Sequence, residues 1–142
     1  MVELNDLKRL TKELAEEIEY SEDGPALDWI KLVLSSIKSP VAIITREYKV
    51  IYLNPEAKRI GKKYNISTEY DIECYKARYN NDKPCKNCPM LESIKTKQIV
   101  NTVWKSPHSN IEYVVTNIPL VFNGVAGSIE IFNKNGINNG NR

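Results

Sequence analysis

The sequence predicts an α+β fold, with a five-stranded antiparallel sheet, helices on one face of that sheet, and an N-terminal amphipathic helix before it. Two observations lead to this fold class. Apolar residues recur every three or four positions over the first forty residues and then at alternate positions, as they do in helices and in strands. The pair Asn123-Gly124 also separates two β-rich runs, which is a strong hairpin signal. A chain of 142 residues suits one compact domain with its own core.

Residues 4–20 are predicted to form the amphipathic helix. Its apolar stripe consists of Leu4, Leu7, Leu10, Leu14 and Ile18. The stripe is narrow, like the seam of a coiled coil, and must be buried against another surface. A second copy of the helix and the chain's own sheet are equally good partners for it.

The next elements follow from a change of period. Gly24 and Pro25 end the first helix, and Pro40 closes the second. The alternating, β-rich residues after Pro40 indicate a pair of strands joined by a tight turn. We expect a helix over Ala26–Ile37, strands over Val41–Arg46 and Val50–Leu53, and a short helix from Asn54 or Pro55 to about Ile60.

The second half begins with an irregular stretch over residues 61–88, in which we expect one or two helical turns. Proline is favoured at the first position of a helix, so that Pro89 predicts a helix over Met90–Lys97. Three strands follow over Gln98–Lys105, Ile111–Phe122 and Val125–Phe132.

The chain therefore divides into an N-terminal helix over residues 1–22, one domain over residues 23–133, and a flexible tail over residues 134–142. The formal net charge is only +2, with acidic and basic residues interspersed, which argues against a nucleic-acid partner. No apolar stretch approaches the roughly 20 residues that span a bilayer, and charge begins at Glu3. We expect a cytoplasmic protein without a membrane partner.

Three cysteines, Cys74, Cys85 and Cys88, lie within fifteen residues, and the chain has no others. The spacing of Cys85 and Cys88 lets one turn present both sulfur atoms to one side, as in metal-binding and redox-active loops. Basic residues surround them, and nearby cations favour the thiolate form. This segment is the first candidate for the chemistry of the chain.

Between Ser36 and Ile60 a helix end, an apolar strand, a turn and a second strand lead into Asn54-Pro55-Glu56-Ala57. This order resembles a PAS domain, and the runs Val114–Val121 and Val125–Phe132 resemble the final hairpin of that family. The resemblance covers about residues 26–133. The pattern Cys74-Tyr75 followed by Pro84-Cys85-Lys86-Asn87-Cys88-Pro89 is similar to that of some PAS domains in prokaryotic sensor proteins.

The resemblance implies a cytosolic sensory module that senses redox state, oxygen or metal through Cys74, Cys85 and Cys88. An iron–sulfur cluster is the favoured cofactor, although the PAS domains that bind one use four cysteines and this chain has three. Zinc with His108 as a fourth ligand, a disulfide, and three free thiols remain open. The module would signal by protein–protein contact, as a homodimer through its N-terminal helix, to an output protein such as a kinase or regulator.

Two alternatives remain open. The first is a PAS-like dimerisation module with structural cysteines. The second is a PAS domain that binds a small metabolite, for which pocket candidates are Ile44, Tyr52, Trp104, Val114 and Ile129. We do not expect an enzyme, because the sequence has a single histidine and no glycine-rich phosphate loop.

Overall fold

A computed structural model describes residues 25–122 and 124–136. The predicted helix over residues 4–20 and the turn residue Asn123 lie outside these ranges. The helices are α1 (Pro25–Ser35), α2 (Pro55–Lys63), α3 (Cys74–Tyr79) and α4 (Pro89–Thr96). The strands are β1 (Val41–Thr45), β2 (Val50–Leu53), β3 (Val100–Lys105), β4 (Glu112–Phe122) and β5 (Val125–Lys134).

The five strands form one antiparallel sheet in the order β2-β1-β5-β4-β3. This confirms the predicted α+β fold class, and each strand begins and ends within two residues of its predicted limits. The first strand, β1, lies between β2 and β5, where every one of its five residues is buried. Full burial of a strand requires cover on both faces of the sheet.

The two faces of the sheet carry separate apolar clusters, because successive strand residues point to opposite sides. Ala42 and Ile44 belong to the inner face, on which α4 packs through Met90 and its neighbours. Val41 and Ile43 belong to the outer face, on which α1 packs through Leu34. Helices α2, α3 and α4 lie on the inner face, in keeping with the predicted helices on one face, whereas α1 packs on the opposite face through Leu27, Ile30 and Leu34.

The helices on the inner side begin where the sequence signals them. Asn54 precedes α2, and its side chain accepts a hydrogen bond from the amide of Ala57, which is the usual capping contact at a helix N-terminus. Pro89 stands at the start of α4, as predicted. Among the described residues, no helix has the length and apolar character needed to cross a membrane.

Candidate functional site

A pocket of about 100 Å³ lies between the inner face of the sheet and helices α2 and α3. Its walls come from α2 and the segment that follows it, from the end of α3, from the inner face of the sheet, and from the loop between β3 and β4. Small side chains at Ala57 and Ala77 face this space. Its volume is well below the roughly 300–1,000 Å³ of a drug-sized site, so it suits a small ligand.

One wall of the pocket is aromatic. Trp104, Tyr113 and Phe132 line it from three adjacent strands, with ring centroids 5.7 Å apart for Trp104 and Phe132 and 6.1 Å apart for Tyr113 and Phe132. Tyr79, at the end of α3, packs edge-on against Trp104 at 6.3 Å. Rings in these edge-to-face arrangements hold one another in place, which gives the pocket a fixed apolar wall.

The charged group of the pocket is Arg78, on α3. Its Nη2 atom lies 2.6 Å from Oε1 of Glu130 on β5, and the two side chains are 20% and 8% exposed. The guanidinium also lies over the ring of Phe132, at 5.2 Å from the centroid. Burial by itself lowers the pKa of Arg78, but the neighbouring Glu130 raises it above its ordinary value overall. The guanidinium therefore stays charged.

Arg78 and Glu130 are joined by one close contact, between Nη2 and Oε1, and do not form a bidentate pair. Within the part of the chain that the structure describes, Oε1 of Glu130 accepts no well-aligned hydrogen bond. A guanidinium carries five N–H donors, and a bidentate pair would use two of them on one carboxylate. Donors of Arg78 are therefore left for a group in the pocket, which Arg78 lines.

His108 joins the loop between β3 and β4 to α3. Its Nε2 atom lies 2.7 Å from the carbonyl oxygen of Arg78, and since a carbonyl only accepts, Nε2 donates. The loop itself is held by Ser106, whose hydroxyl accepts from the amides of His108 and Ser109 at 3.2 Å and 3.3 Å. The sequence places His108 in an exposed loop, and the structure confirms that placement.

A second polar group lies buried on the inner face. The hydroxyl of Ser128 donates to Oδ1 of Asn117 at 3.1 Å, while the Nδ2 of Asn117 has no partner among the described residues. Asn117 stands directly across from Glu130 in the pairing of β4 with β5. An unpaired donor and an incompletely bonded carboxylate therefore occupy neighbouring positions behind the pocket.

The three cysteines lie at the other end of α3. Cys74 begins that helix, and both Cys74 and Cys88 pack against the inner-face cluster of Ala42 and Ile44. Cys85 is exposed on the loop between them. Across the described ranges, no group of three or more cysteine, histidine or acidic residues is arranged to hold a metal ion. His108, the predicted fourth ligand of a zinc site, lies against the carbonyl oxygen of Arg78.

Two of the thiols, those of Cys74 and Cys85, are less acidic than their basic surroundings suggest. Burial raises the pKa of Cys74 from 9.0 to about 11, and the nearby Arg78 offsets only part of this effect. Burial likewise raises the pKa of Cys85, and the neighbouring Cys88 adds to it. The expected promotion of thiolate by nearby cations is therefore outweighed by desolvation, because an apolar environment disfavours the charged form.

We predict that iodoacetamide alkylates Cys85 several-fold faster than Cys74 at pH 7.5, because Cys85 is exposed whereas burial shields Cys74 and raises its pKa to about 11. Timed alkylation followed by peptide mass spectrometry measures both rates, with the unfolded protein as the control in which the two rates converge. Equal rates in the folded protein would show that Cys74 is not buried as described.

The thiol of Cys74 also makes the stability of the folded protein depend on pH, in a direction that follows from its raised pKa. Folding raises the pKa of Cys74 above its ordinary 9.0, so the folded state binds this proton more tightly. Its contribution to stability is complete below about pH 9 and is lost as the pH rises towards about 11. Urea unfolding at pH 8 and pH 10.5 should show a smaller loss of stability in Cys74→Ala than in the original protein.

Of the five pocket candidates that the sequence indicates, Trp104 lines the pocket. Ile44 belongs to the inner-face core, whereas Tyr52 and Ile129 belong to the cluster beneath α1 on the outer face. Val114, on β4, does not line the pocket either. Sequence reasoning missed Glu130. The signal was present, because Glu130 is a lone acid in the apolar run Ser128–Phe132, at a position that faces the same side as Ser128 and Phe132.

Comparisons with known proteins find similarity in structure and none in sequence. No protein-family model matches the sequence, and no curated protein does. The structure is similar to the PAS domain of nitrogen regulation protein NR(II) from Vibrio parahaemolyticus, with a TM-score of 0.50, 12% identity, and coverage of 75% of this chain and 97% of that one.

Two further structures show weaker similarity. One belongs to the DhaR(N)–DhaL complex of E. coli, with a TM-score of 0.49, 16% identity, and coverage of 92% of this chain and 41% of that one. The other is the PAS domain of an HTR-like protein from Haloarcula marismortui, with a TM-score of 0.45, 8% identity, and coverage of 76% and 96%.

Proposed function

The chain has the fold of a PAS domain, and we propose that it is a non-catalytic sensory module that takes up a small molecule in the pocket beside Arg78. The observation that carries this proposal is a charged, incompletely bonded guanidinium that lies against the aromatic wall of the pocket. A few convergent polar groups in an otherwise apolar cavity are the usual composition of a ligand site.

The elements around the pocket connect it to the rest of the domain. Arg78 belongs to α3, Glu130 and Phe132 belong to β5, and His108 belongs to the loop between β3 and β4. A ligand that contacts Arg78 therefore acts on all three elements at once. The neighbouring strand residue Phe132 also donates its backbone amide to Pro40, at the entry to β1. Through this contact a shift of β5 reaches the segment that follows α1.

The pocket is tested by titrating the ¹⁵N-labelled protein with benzene and phenol and following its amide resonances. We expect saturable shifts at residues around Trp104 and Phe132. In Ala77→Leu the added side chain occupies part of the pocket, and binding should weaken at least about tenfold, by roughly 1.4 kcal/mol or more. The matched control is Ala126→Leu, a substitution on β5 outside the pocket, which should bind like the original protein. Equal binding to all three proteins would contradict the pocket as the site.

Signal output by protein contact is part of the same proposal. On α1, the side chains of Trp29, Leu32 and Val33 are 57%, 69% and 46% exposed. They lie on the helix that directly follows residues 1–24, whose sequence carries the leucine stripe. A contiguous apolar face of this kind favours association, and we propose a cytoplasmic homodimer through this face that presents the module to a kinase or regulator.

Sedimentation velocity distinguishes the dimer from a monomer. The original protein should sediment as a dimer and Leu32→Glu as a monomer, because a charge in an apolar interface is costly. The control is Lys31→Glu, on the same helix, which should leave the dimer largely intact. A monomer for the original protein at high micromolar concentration would exclude the homodimer.

A second candidate function is the sensing of redox state, oxygen or metal through Cys74, Cys85 and Cys88. It is favoured by the packing of Cys74 and Cys88 on one apolar cluster, with Cys85 on the loop between them. Metal analysis and an absorption spectrum of protein purified without oxygen test it. Stoichiometric iron with sulfide would support a cluster, zinc a structural site, and a metal-free protein with three unreactive thiols would exclude this function.

A further inference from the structure

We propose that the ligand of this pocket is a small carboxylate with an apolar body, whose anionic group binds Arg78 in competition with Glu130. This inference rests on the proposed function, because it names the chemical class that the pocket recognises. Among the described residues that line the pocket, Arg78 is the one that is always charged, and no carboxylate lines it. An anion in the pocket therefore has Arg78 as its cationic partner and shares it with Glu130.

The geometry of Arg78 favours a carboxylate over other anions of the same charge. A guanidinium offers parallel N–H donors that match the two oxygens of a carboxylate. Glu130 makes one close contact with Arg78, between its Oε1 and Nη2 of the guanidinium at 2.6 Å. In the described part of the chain, this Oε1 accepts no well-aligned hydrogen bond. A second carboxylate can approach the remaining donors from the pocket side.

Glu130 does not become isolated when Arg78 turns towards a ligand. The Nδ2 of Asn117 is a buried donor without a partner in the described ranges, and Asn117 pairs across the sheet with Glu130. A hydrogen bond from Asn117 to the released carboxylate would satisfy both groups. The inner face therefore holds a replacement partner for Glu130 in the ligand-bound state.

The volume of the pocket limits the size of the apolar part of the ligand. A cavity of about 150 Å³ lined by apolar side chains is known to hold benzene, so a pocket of about 100 Å³ with an open mouth admits a body of about six heavy atoms or fewer. The rings of Trp104, Tyr113 and Phe132 form an apolar wall that suits a branched alkyl group or a single ring.

Calorimetric titration with two acid and amide pairs tests the class of ligand. The pairs are benzoate with benzamide and isobutyrate with isobutyramide, in which the acid and the amide have nearly the same shape. The folded full chain should bind each acid at least about tenfold more tightly than its amide, since a charge-assisted hydrogen bond exceeds a neutral one by about that factor.

Two variants of the ion pair should change the binding of acids in opposite directions. In Glu130→Gln the competing carboxylate is removed and Arg78 lacks its counter-charge, so acid binding should strengthen by about tenfold. In the double variant R78Q/E130Q, which leaves no unpaired charge, the preference for acid over amide should disappear. A purely structural ion pair would not raise affinity in Glu130→Gln.

The outcomes separate this inference from the function on which it rests. Equal affinity for acids and amides, or an acid preference that survives in R78Q/E130Q, would overturn the carboxylate class while leaving the pocket as a binding site. Binding of benzene and phenol without binding of either acid would do the same. If none of the six compounds binds the original protein, both the inference and the proposed function fail.

Discussion

Replacement of Asn54 by alanine is expected to lower the free energy of unfolding by about 4 kcal/mol, among the largest effects of any single substitution. Asn54 is fully buried, and its Oδ1 accepts from the amides of Val41 and Ala57 at 2.9 Å and 3.0 Å. Its Nδ2 donates to the carbonyls of Ile37 and Ser39 at 3.0 Å and 2.9 Å. Loss of the helix cap costs about 1 kcal/mol, and each buried backbone group left unpaired adds about 1 kcal/mol or more.

Urea unfolding followed by circular dichroism measures this loss. Asn81→Ala is the control, because Asn81 is exposed and such substitutions change stability by less than about 0.5 kcal/mol. A value for Asn54→Ala close to that of the control would mean that the contacts joining α1, β1 and α2 are not made.

The second large effect concerns the ion pair. Arg78→Gln leaves the carboxylate of Glu130 buried without its counter-charge, and we expect a loss of about 3 kcal/mol, at the lower end of the range for a buried pair because Arg78 is partly exposed. Removal of both charges in R78Q/E130Q should be less damaging than removal of one, since no unpaired charge remains.

A double-mutant cycle over Arg78→Gln, Glu130→Gln and R78Q/E130Q measures the coupling between the two side chains. We expect a coupling free energy of at least about 1.5 kcal/mol, from unfolding at pH 7.5. Additive losses of stability would show that Arg78 and Glu130 do not interact in the folded protein. That result would also exclude competition between Glu130 and a ligand for Arg78.

The order of the strands and helices was accessible from the sequence because its signals are local. Pro89 opens α4, Asn54 caps α2, and alternation marks β3 and β4. The side on which α1 packs was not accessible from alternation alone, because all five residues of β1 are apolar or buried. That run indicates a strand covered on both faces, but it does not say which helix covers which face.

The site was less predictable because its partners are distant in sequence. The three cysteines form a visible cluster in the sequence, but burial, which no spacing reveals, decides how acidic the thiols of Cys74 and Cys85 are. In the sequence, Arg78 is one of several basic residues around the cysteines, and nothing sets it apart from the others. Its contact with Glu130 depends on how α3 lies across β5, which is a tertiary property.

Whether a small molecule enters the pocket can be measured by intermolecular NOEs between phenol and the isotope-labelled protein, in a sample saturated with phenol. We expect NOEs from the phenol ring to the methyl groups of Ala57 and Ala77 and to the ring of Trp104, all of which line the pocket. NOEs confined to other surfaces, such as the exposed face of α1, or none at saturation, would contradict a ligand-sensing pocket in this domain.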